Sequence, residues 1–263
     1  MSLPPISLHN IPPALVPQRV HSDHIEFNSG DISLLGLKPS STWALQTEEL
    51  ASRDQAKRVM WVRHAQGIHN AAELALGKDE WESVECRKDV YFDANLNEIG
   101  VEQSKVLQFA LNGPLTTRAL KVDLIIVSPL SRAIETAQIA FESVWDQVPV
   151  IAVELARERF GKNICDKRRS VSELKRLFPR VDFDSFMDGE HDSYHDAEVR
   201  ETPEQVAERV KRLMHWIMQL PYDSVAVVGH SDYMSHASVV AGFPHHWPAN
   251  CELVPMMLRN SNE

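Results

Sequence analysis

Arg58-Val59-Met60-Trp61-Val62-Arg63-His64-Ala65-Gln66-Gly67-Ile68-His69-Asn70 is the stretch from which the fold can be read. Val59 to Val62 is an unbroken apolar run, the pattern of a short strand buried on both faces, as strands of parallel sheets are. The run stops on a cation and an imidazole, Arg63-His64, which places them just past a strand's carboxyl end. Similar runs follow. Leu124-Ile125-Ile126-Val127 ends at Ser128-Pro129, Val148 to Val153 predicts a third strand, and Val225-Ala226-Val227-Val228 ends at Gly229-His230. Glu252 to Leu258 predicts a fifth.

Helical patterns lie between these runs. Asn97 is a good N-cap for a helix reaching Leu111, with Gln103, Val106, Leu107 and Ala110 on one face. Ser128-Pro129 predicts a second start, Ser as cap and Pro as first helical residue, followed by a stripe of Ala133, Ala137, Ala140, Phe141 and Val144. Thr202-Pro203 predicts a third, with Val206, Val210, Leu213, Met214 and Ile217 as its stripe. Alternating strands and helices imply an α/β domain of three layers, α/β/α, with a mostly parallel sheet and helices on both faces. Ligands of such sheets sit beyond the carboxyl ends of the strands, where Arg63-His64, Ser128 before Arg132, and His230 all fall. Residues 1–57 carry Pro4, Pro5, Pro12, Pro13, Pro17 and Pro39, which discourage regular structure. Ile25, Phe27, Leu34, Leu35, Leu37 and Trp43 make this stretch more apolar than a solvated tail, so an extended arm packed over a domain spanning 58–263 is expected, with a partly disordered arm as the alternative.

Composition narrows the function. Among 263 residues, 43% are hydrophobic and 24% charged, enough to build a core. The balance of 27 Lys and Arg against 37 Asp and Glu gives a net charge of −10, the wrong sign for a dedicated binder of nucleic acid or anionic membranes. No stretch is apolar for long enough to cross a bilayer, and the start lacks a secretory pattern. The scattered Cys86, Cys165 and Cys251 form neither a disulfide framework nor a paired zinc site, so a cytoplasmic setting is expected. His191 and His195, among Asp188, Glu190, Asp192 and Asp196, have metal-ligand spacing, but Gly189 and the local polarity favour a loop; neither a metal nor a cofactor is expected.

Singly, His64 and His230 read most simply as structural histidines and Arg132 as a helix-surface arginine. Together they are the set that phosphoryl transfer needs. Guanidinium groups are permanently charged and match phosphate oxygens. One neutral imidazole can take the phosphoryl group, and a second can donate to its equatorial oxygens.

The chain here resembles the histidine phosphatase superfamily in its phosphoglycerate-mutase-like branch. Four motifs carry the resemblance, in the family's order: Arg63-His64-Ala65-Gln66-Gly67-Ile68-His69-Asn70; Asp93-Ala94-Asn95-Leu96-Asn97-Glu98-Ile99-Gly100-Val101-Glu102-Gln103; Ser128-Pro129-Leu130-Ser131-Arg132-Ala133-Ile134-Glu135-Thr136-Ala137; and Val227-Val228-Gly229-His230-Ser231. The resemblance implies that His64 becomes phosphohistidine. Arg63, Arg132 and His230 would grip the phosphoryl group, with Asn70 nearby and the Ser231 hydroxyl a further donor. It also implies a carboxylate acid after the third strand: Glu158, three residues before Gly161, with Glu154 as competitor. The family glycine after the nucleophile is Ala65 here, which would be strained if that position needed a positive φ.

His64 to Asn70 and Cys165-Asp166-Lys167-Arg168-Arg169 resemble a plant and fungal subgroup of phosphatases. Lys167, Arg168 and Arg169 could reach a second anionic group of the substrate, Arg168 foremost. Equally, they could be the solvated start of a helix at Ser170-Val171-Ser172-Glu173, a capping-box pattern. The implied activity is metal-independent hydrolysis of a small phosphomonoester. The rivals are a phosphomutase, whose motif Glu-Arg-x-Tyr-Gly-x-Leu-x-Gly this chain leaves after Gly161, and an inactive scaffold that binds a phospho-ligand or protein.

Overall fold

The computed structural model describes residues 57–112 and 121–258; most of the expected N-terminal arm lies outside them. Five strands form one sheet: β1 (Lys57–Arg63), β2 (Leu124–Val127), β3 (Val150–Ala152), β4 (Ser224–Gly229) and β5 (Leu253–Leu258), in the order β3-β2-β4-β1-β5. Only β5 is antiparallel, against β1. The helices are α1 (Ile68–Leu76), α2 (Lys78–Ser83), α3 (Glu98–Leu111), α4 (Ser131–Ala140), α5 (Glu142–Trp145), α6 (Val171–Leu177), α7 (Pro203–Gln219) and α8 (Ser231–Val240).

The apolar runs are buried on both sides, and strand alternation sorts them. Val59, Trp61, Leu124, Ile126, Val225 and Val227 face one core with α7 and α8. Met60, Val62, Ile125, Val127, Ala226 and Val228 face the other with α3 and α4. Each such aliphatic side chain, fully buried, contributes about 1.5–3 kcal/mol. The stripe on α7 is buried throughout, and Phe186 crosses Trp216 edge-on at 4.8 Å between ring centroids. Phe183 and Phe186 are thus core residues.

Caps set the helix starts. Asn97 Oδ1 accepts from Gly100 N at 2.9 Å. Thr202 and Gln205 cap each other reciprocally, as do Ser170 and Glu173. Two expectations are corrected. α4 begins at Ser131 with Leu130 as its cap residue; the Ser128 hydroxyl meets His230 Nε2 at 2.8 Å and also accepts from Leu130 N at 3.4 Å. The buried face of α3 is Gly100, Ser104 and Leu107, while Val106 is exposed. The small residues win because α3 lies against the loop after β1: a Cβ on Gly100 would stand 2.2 Å from the Gln66 carbonyl oxygen.

Register aligns the functional end. Arg63 pairs with Gly229, Val127 with Val228, and Val127 with Ala152. The ladder runs one step further: His64 N donates to Gly229 O at 2.8 Å, and Ser128 N to Val228 O at 2.9 Å. His64, Ser128 and His230 therefore emerge side by side.

Gly100→Ala should destabilise the chain by about 1–3 kcal/mol despite alanine's better helix propensity, since a fixed backbone oxygen occupies the methyl position. Urea unfolding reads this as a lower midpoint; an unchanged or raised midpoint would contradict the close approach.

Candidate active site

His64 follows β1 and is 2% exposed. Its Nδ1 lies 2.7 Å from the Ala65 carbonyl oxygen, which fixes the proton on Nδ1 and leaves a lone pair on Nε2. Arg132 Nε donates to that Nε2 at 3.2 Å. Burial first, then Arg132, His230, Arg63 and His69, hold the imidazole well below its ordinary pKa, so it is neutral at neutral pH. Ala65 adopts no positive φ, so its methyl group carries no backbone strain. Its N–H donates to Thr136 Oγ1, which itself donates to Arg132 O, tying the loop that bears His64 to α4.

His230 closes β4, its ring centroid 5.0 Å from that of His64. Its Nδ1 is 3.3 Å from an Arg132 guanidinium nitrogen and its Nε2 2.8 Å from Ser128 Oγ. Burial and then Arg132 likewise hold it neutral. Arg132 is 1% exposed in the first turn of α4. Its remaining contacts are the Cys165 carbonyl at 2.6 Å and Asp166 Oδ1 at 2.9 Å. Asp93 accepts from both the amide and the hydroxyl of Ser131 and orients the start of this helix. Burial pushes the Asp93 carboxyl up to about 6, against the pull of those bonds.

Arg63 donates to the Pro248 carbonyl at 2.8 Å, and its buried Nε has no hydrogen-bond partner among the described residues. Asn70 Oδ1 accepts from Gly67 N at 3.0 Å, so its amide nitrogen is the end able to meet an anion. Ser231 is half-buried at the first position of α8. His69 is buried between His64 and Trp81, a wall of the site rather than a helix surface.

The two candidate acids separate clearly. Glu154 is locked between Arg168 Nε at 2.5 Å and Arg157 at 3.1 Å. Glu158 instead accepts only backbone N–H groups: Arg159 at 3.0 Å, and Asp232 and Tyr233, in the first turn after His230, at 3.3 and 3.2 Å. Burial, then Asp166 and Asp232, raise its pKa. Of the two carboxyl groups, Glu158 is the one not held by an arginine side chain.

Arg168 lies apart from this group. It is 2% exposed, paired with Glu154, and its other N–H groups meet the carbonyls of Arg169, Asp188, Gly189, Glu190 and His191. Neither expectation for it, a substrate contact or a solvated helix start, matches a guanidinium spent on pinning the 188–191 loop. The Ser170 capping box does form, and Arg169 reaches Asp93 at 3.0 Å. The His191–His195 segment is irregular, and among the described residues no group of three His, Cys, Asp or Glu is placed to hold a metal ion.

Two charged residues beside Arg132 belong to none of the sequence motifs that mark the site. Asp166 pairs with Arg132, and its other oxygen lies 3.4 Å from Arg200. Arg200 is brought there by Gly161, at φ 81°, where a Cβ would stand 1.9 Å from the Val199 carbonyl oxygen. Within Cys165-Asp166-Lys167-Arg168-Arg169 the basic run is a stronger signal than the single acid, and Arg200 has no local signal.

The described residues contain no helix long and apolar enough to cross a membrane. The model of the histidine phosphatase superfamily, branch 1, matches residues 62–241. The chain belongs to that superfamily. It is 32% identical over 240 residues to phosphoglycerate mutase-like protein 1 of Arabidopsis thaliana, covering 78% of this chain and 82% of the relative. It is 34% identical over 206 residues to another Arabidopsis phosphoglycerate mutase-like protein, covering 68% and 73%. Phosphoglycerate mutase from Bacillus anthracis has a similar fold, with a TM-score of 0.53 at 18% identity over 79% of this chain and 90% of that one.

Arg168→Met should cost about 3–5 kcal/mol of stability, because it leaves Glu154 and several carbonyls buried without their partner. Denaturant unfolding together with KM values for several phosphomonoesters checks this. Full stability with a KM raised for some substrates only would restore the substrate-binding role.

Proposed function

We propose that this protein is a metal-independent phosphomonoesterase that works through a phosphohistidine on His64. The observation that carries the reading is the convergence of His64 Nε2 and His230 Nδ1 on one buried guanidinium, at 3.2 and 3.3 Å. A neutral, tautomer-fixed imidazole with its lone pair aimed at a phosphate-binding cation is a nucleophile ready for phosphorus.

His64 Nε2 attacks phosphorus as the P–O bond to the leaving group breaks. Arg132, Arg63, the Asn70 amide and the Ser231 hydroxyl offset the charge on the equatorial oxygens. The arriving dianion opposes the cations that keep His230 neutral, so its Nδ1 gains a proton and becomes a donor on the same oxygens. Glu158 gives its proton to the departing alkoxide. In the second half, water loses a proton to the Glu158 carboxylate and attacks phosphorus, the N–P bond breaks, and inorganic phosphate leaves. The substrate class is small phosphomonoesters, and the acidic chain favours neither nucleic acid nor membrane as partner.

A phosphomutase is the second reading. It is favoured by the mutase-like relatives and by Glu158-Arg159, which keep the first two residues of the mutase motif, while Gly161 stands where that motif has Tyr. Supplying a bisphosphate primer separates the readings: hydrolysis without isomerisation supports the phosphatase, and isomerisation outpacing hydrolysis supports the mutase.

His64→Ala should lower kcat on a phosphomonoester panel by about four orders of magnitude or more, the scale seen when a covalent nucleophile is lost. Near-normal turnover would remove His64 from the mechanism. The raised Glu158 pKa gives the pH dependence its sign. The group is protonated below that pKa, so kcat/KM for alkyl phosphates should fall as pH rises through it, while p-nitrophenyl phosphate, whose leaving group needs no proton, should show a weaker fall. Glu158→Gln should slow alkyl phosphates about 10²–10⁴-fold and abolish that limb. Identical pH profiles for both leaving groups would point to another acid.

A further inference from the structure

We infer that Asp166 is a resident counter-anion of the phosphoryl site, holding Arg132 between turnovers and exchanging places with the phosphoryl group when substrate binds. The inference rests on the reading of His64 and Arg132 given above and adds a residue that the reaction scheme does not use.

The argument begins with the donors of Arg132. Its Nε points at His64 Nε2, one terminal nitrogen is held by the Cys165 carbonyl, and the other meets both His230 Nδ1 and Asp166 Oδ1. A phosphoryl group lined up with His64 Nε2 must use the donors nearest that atom, and one of them is bound to a carboxylate. A dianion cannot settle beside that carboxylate without strong repulsion in a site where both partners of the pair are nearly sealed from water, at 1% and 4% side-chain exposure. One anion has to leave Arg132.

The surroundings show which part moves. The turn bearing Asp166 is fixed at the backbone: Asp166 N donates to Asn163 O at 3.1 Å, and Arg157 donates to Asp166 O at 2.6 Å. Just beyond, Arg168 is pinned by Glu154 and the 188–191 carbonyls. The carboxylate, by contrast, already has a second cation. Its Oδ2 is 3.4 Å from Arg200, whose side chain is 24% exposed. A side-chain rotation toward Arg200 releases Arg132 while the turn stays in place, and no bond is made or broken.

Such a residue does two things. It keeps a buried guanidinium paired when the site is empty, which spares the cost of an isolated buried charge. It also sets a threshold, because an arriving anion must offer Arg132 more than one carboxylate charge. Doubly charged phosphomonoesters meet that demand, and singly charged phosphodiesters and simple carboxylates do not.

The test is inhibition by inorganic phosphate. Asp166→Asn keeps the side-chain shape and an oxygen acceptor for Arg132 while removing the charge. It should tighten the Ki for phosphate about tenfold or more and narrow the preference for phosphate over acetate. A residue serving only to brace Arg132 would weaken phosphate on substitution, so an unchanged or weaker Ki overturns the inference. A second measurement uses the native chain and does not depend on that variant folding: a crystal structure with orthovanadate bound at His64. Exchange predicts Asp166 Oδ1 beyond 4 Å from Arg132 and nearer Arg200; vanadate seated with the 2.9 Å pair intact overturns it. Wild-type turnover that depends on His64, with no tightening in the variant, sinks this inference alone. Absence of any His64-dependent turnover sinks the underlying reading as well.

Discussion

A buried guanidinium organises the functional end of this protein. Arg132 donates to His64 Nε2, faces His230 Nδ1, and is paired with Asp166, all of them buried and Arg132 itself 1% exposed. A charge so enclosed would cost several kcal/mol if left alone. The carboxylate and the Cys165 carbonyl offset that cost, and burial, followed by the same cation, keeps both histidines neutral. His64, Arg132, His230 and Asp166 therefore cannot be altered independently of one another.

The sheet makes this meeting possible. His64, Ser128 and His230 come from positions 64, 128 and 230, yet the parallel register of β1, β2 and β4 ends them on one edge. Polar supports then fix the details: Thr136 joins the Ala65 amide to α4, and Asp93 caps the turn that carries Arg132. Arg157, Arg168, Glu154 and Asp192 form a buried ionic frame behind the acid loop. It holds the segment bearing Glu158 and Asp166.

Much of this was legible in the sequence because apolar runs and helix caps are local signals. The strand ends at Arg63 and Gly229, the Asn97 and Thr202 caps and the α7 stripe are written within short windows. What failed was partner choice at long range. Ser128 reads as a cap until His230, 102 residues away, claims its hydroxyl. Arg168 reads as a substrate contact or a solvated cation until the carbonyls of 188–191 surround it. Asp166 went unnoticed because a lone acid beside three basic residues gives no pattern, and its significance comes from Arg132 and Arg200, each 34 residues away in opposite directions along the chain.

The account stands on His64 as the atom that receives phosphorus. Rapid-quench labelling with a ³²P-phosphomonoester measures this directly. It should yield a protein-bound label that is stable in base, lost in mild acid, and located on the peptide containing His64. A label that survives acid, or that maps to another residue, would contradict the central claim, as would turnover with no labelled protein at any quench time.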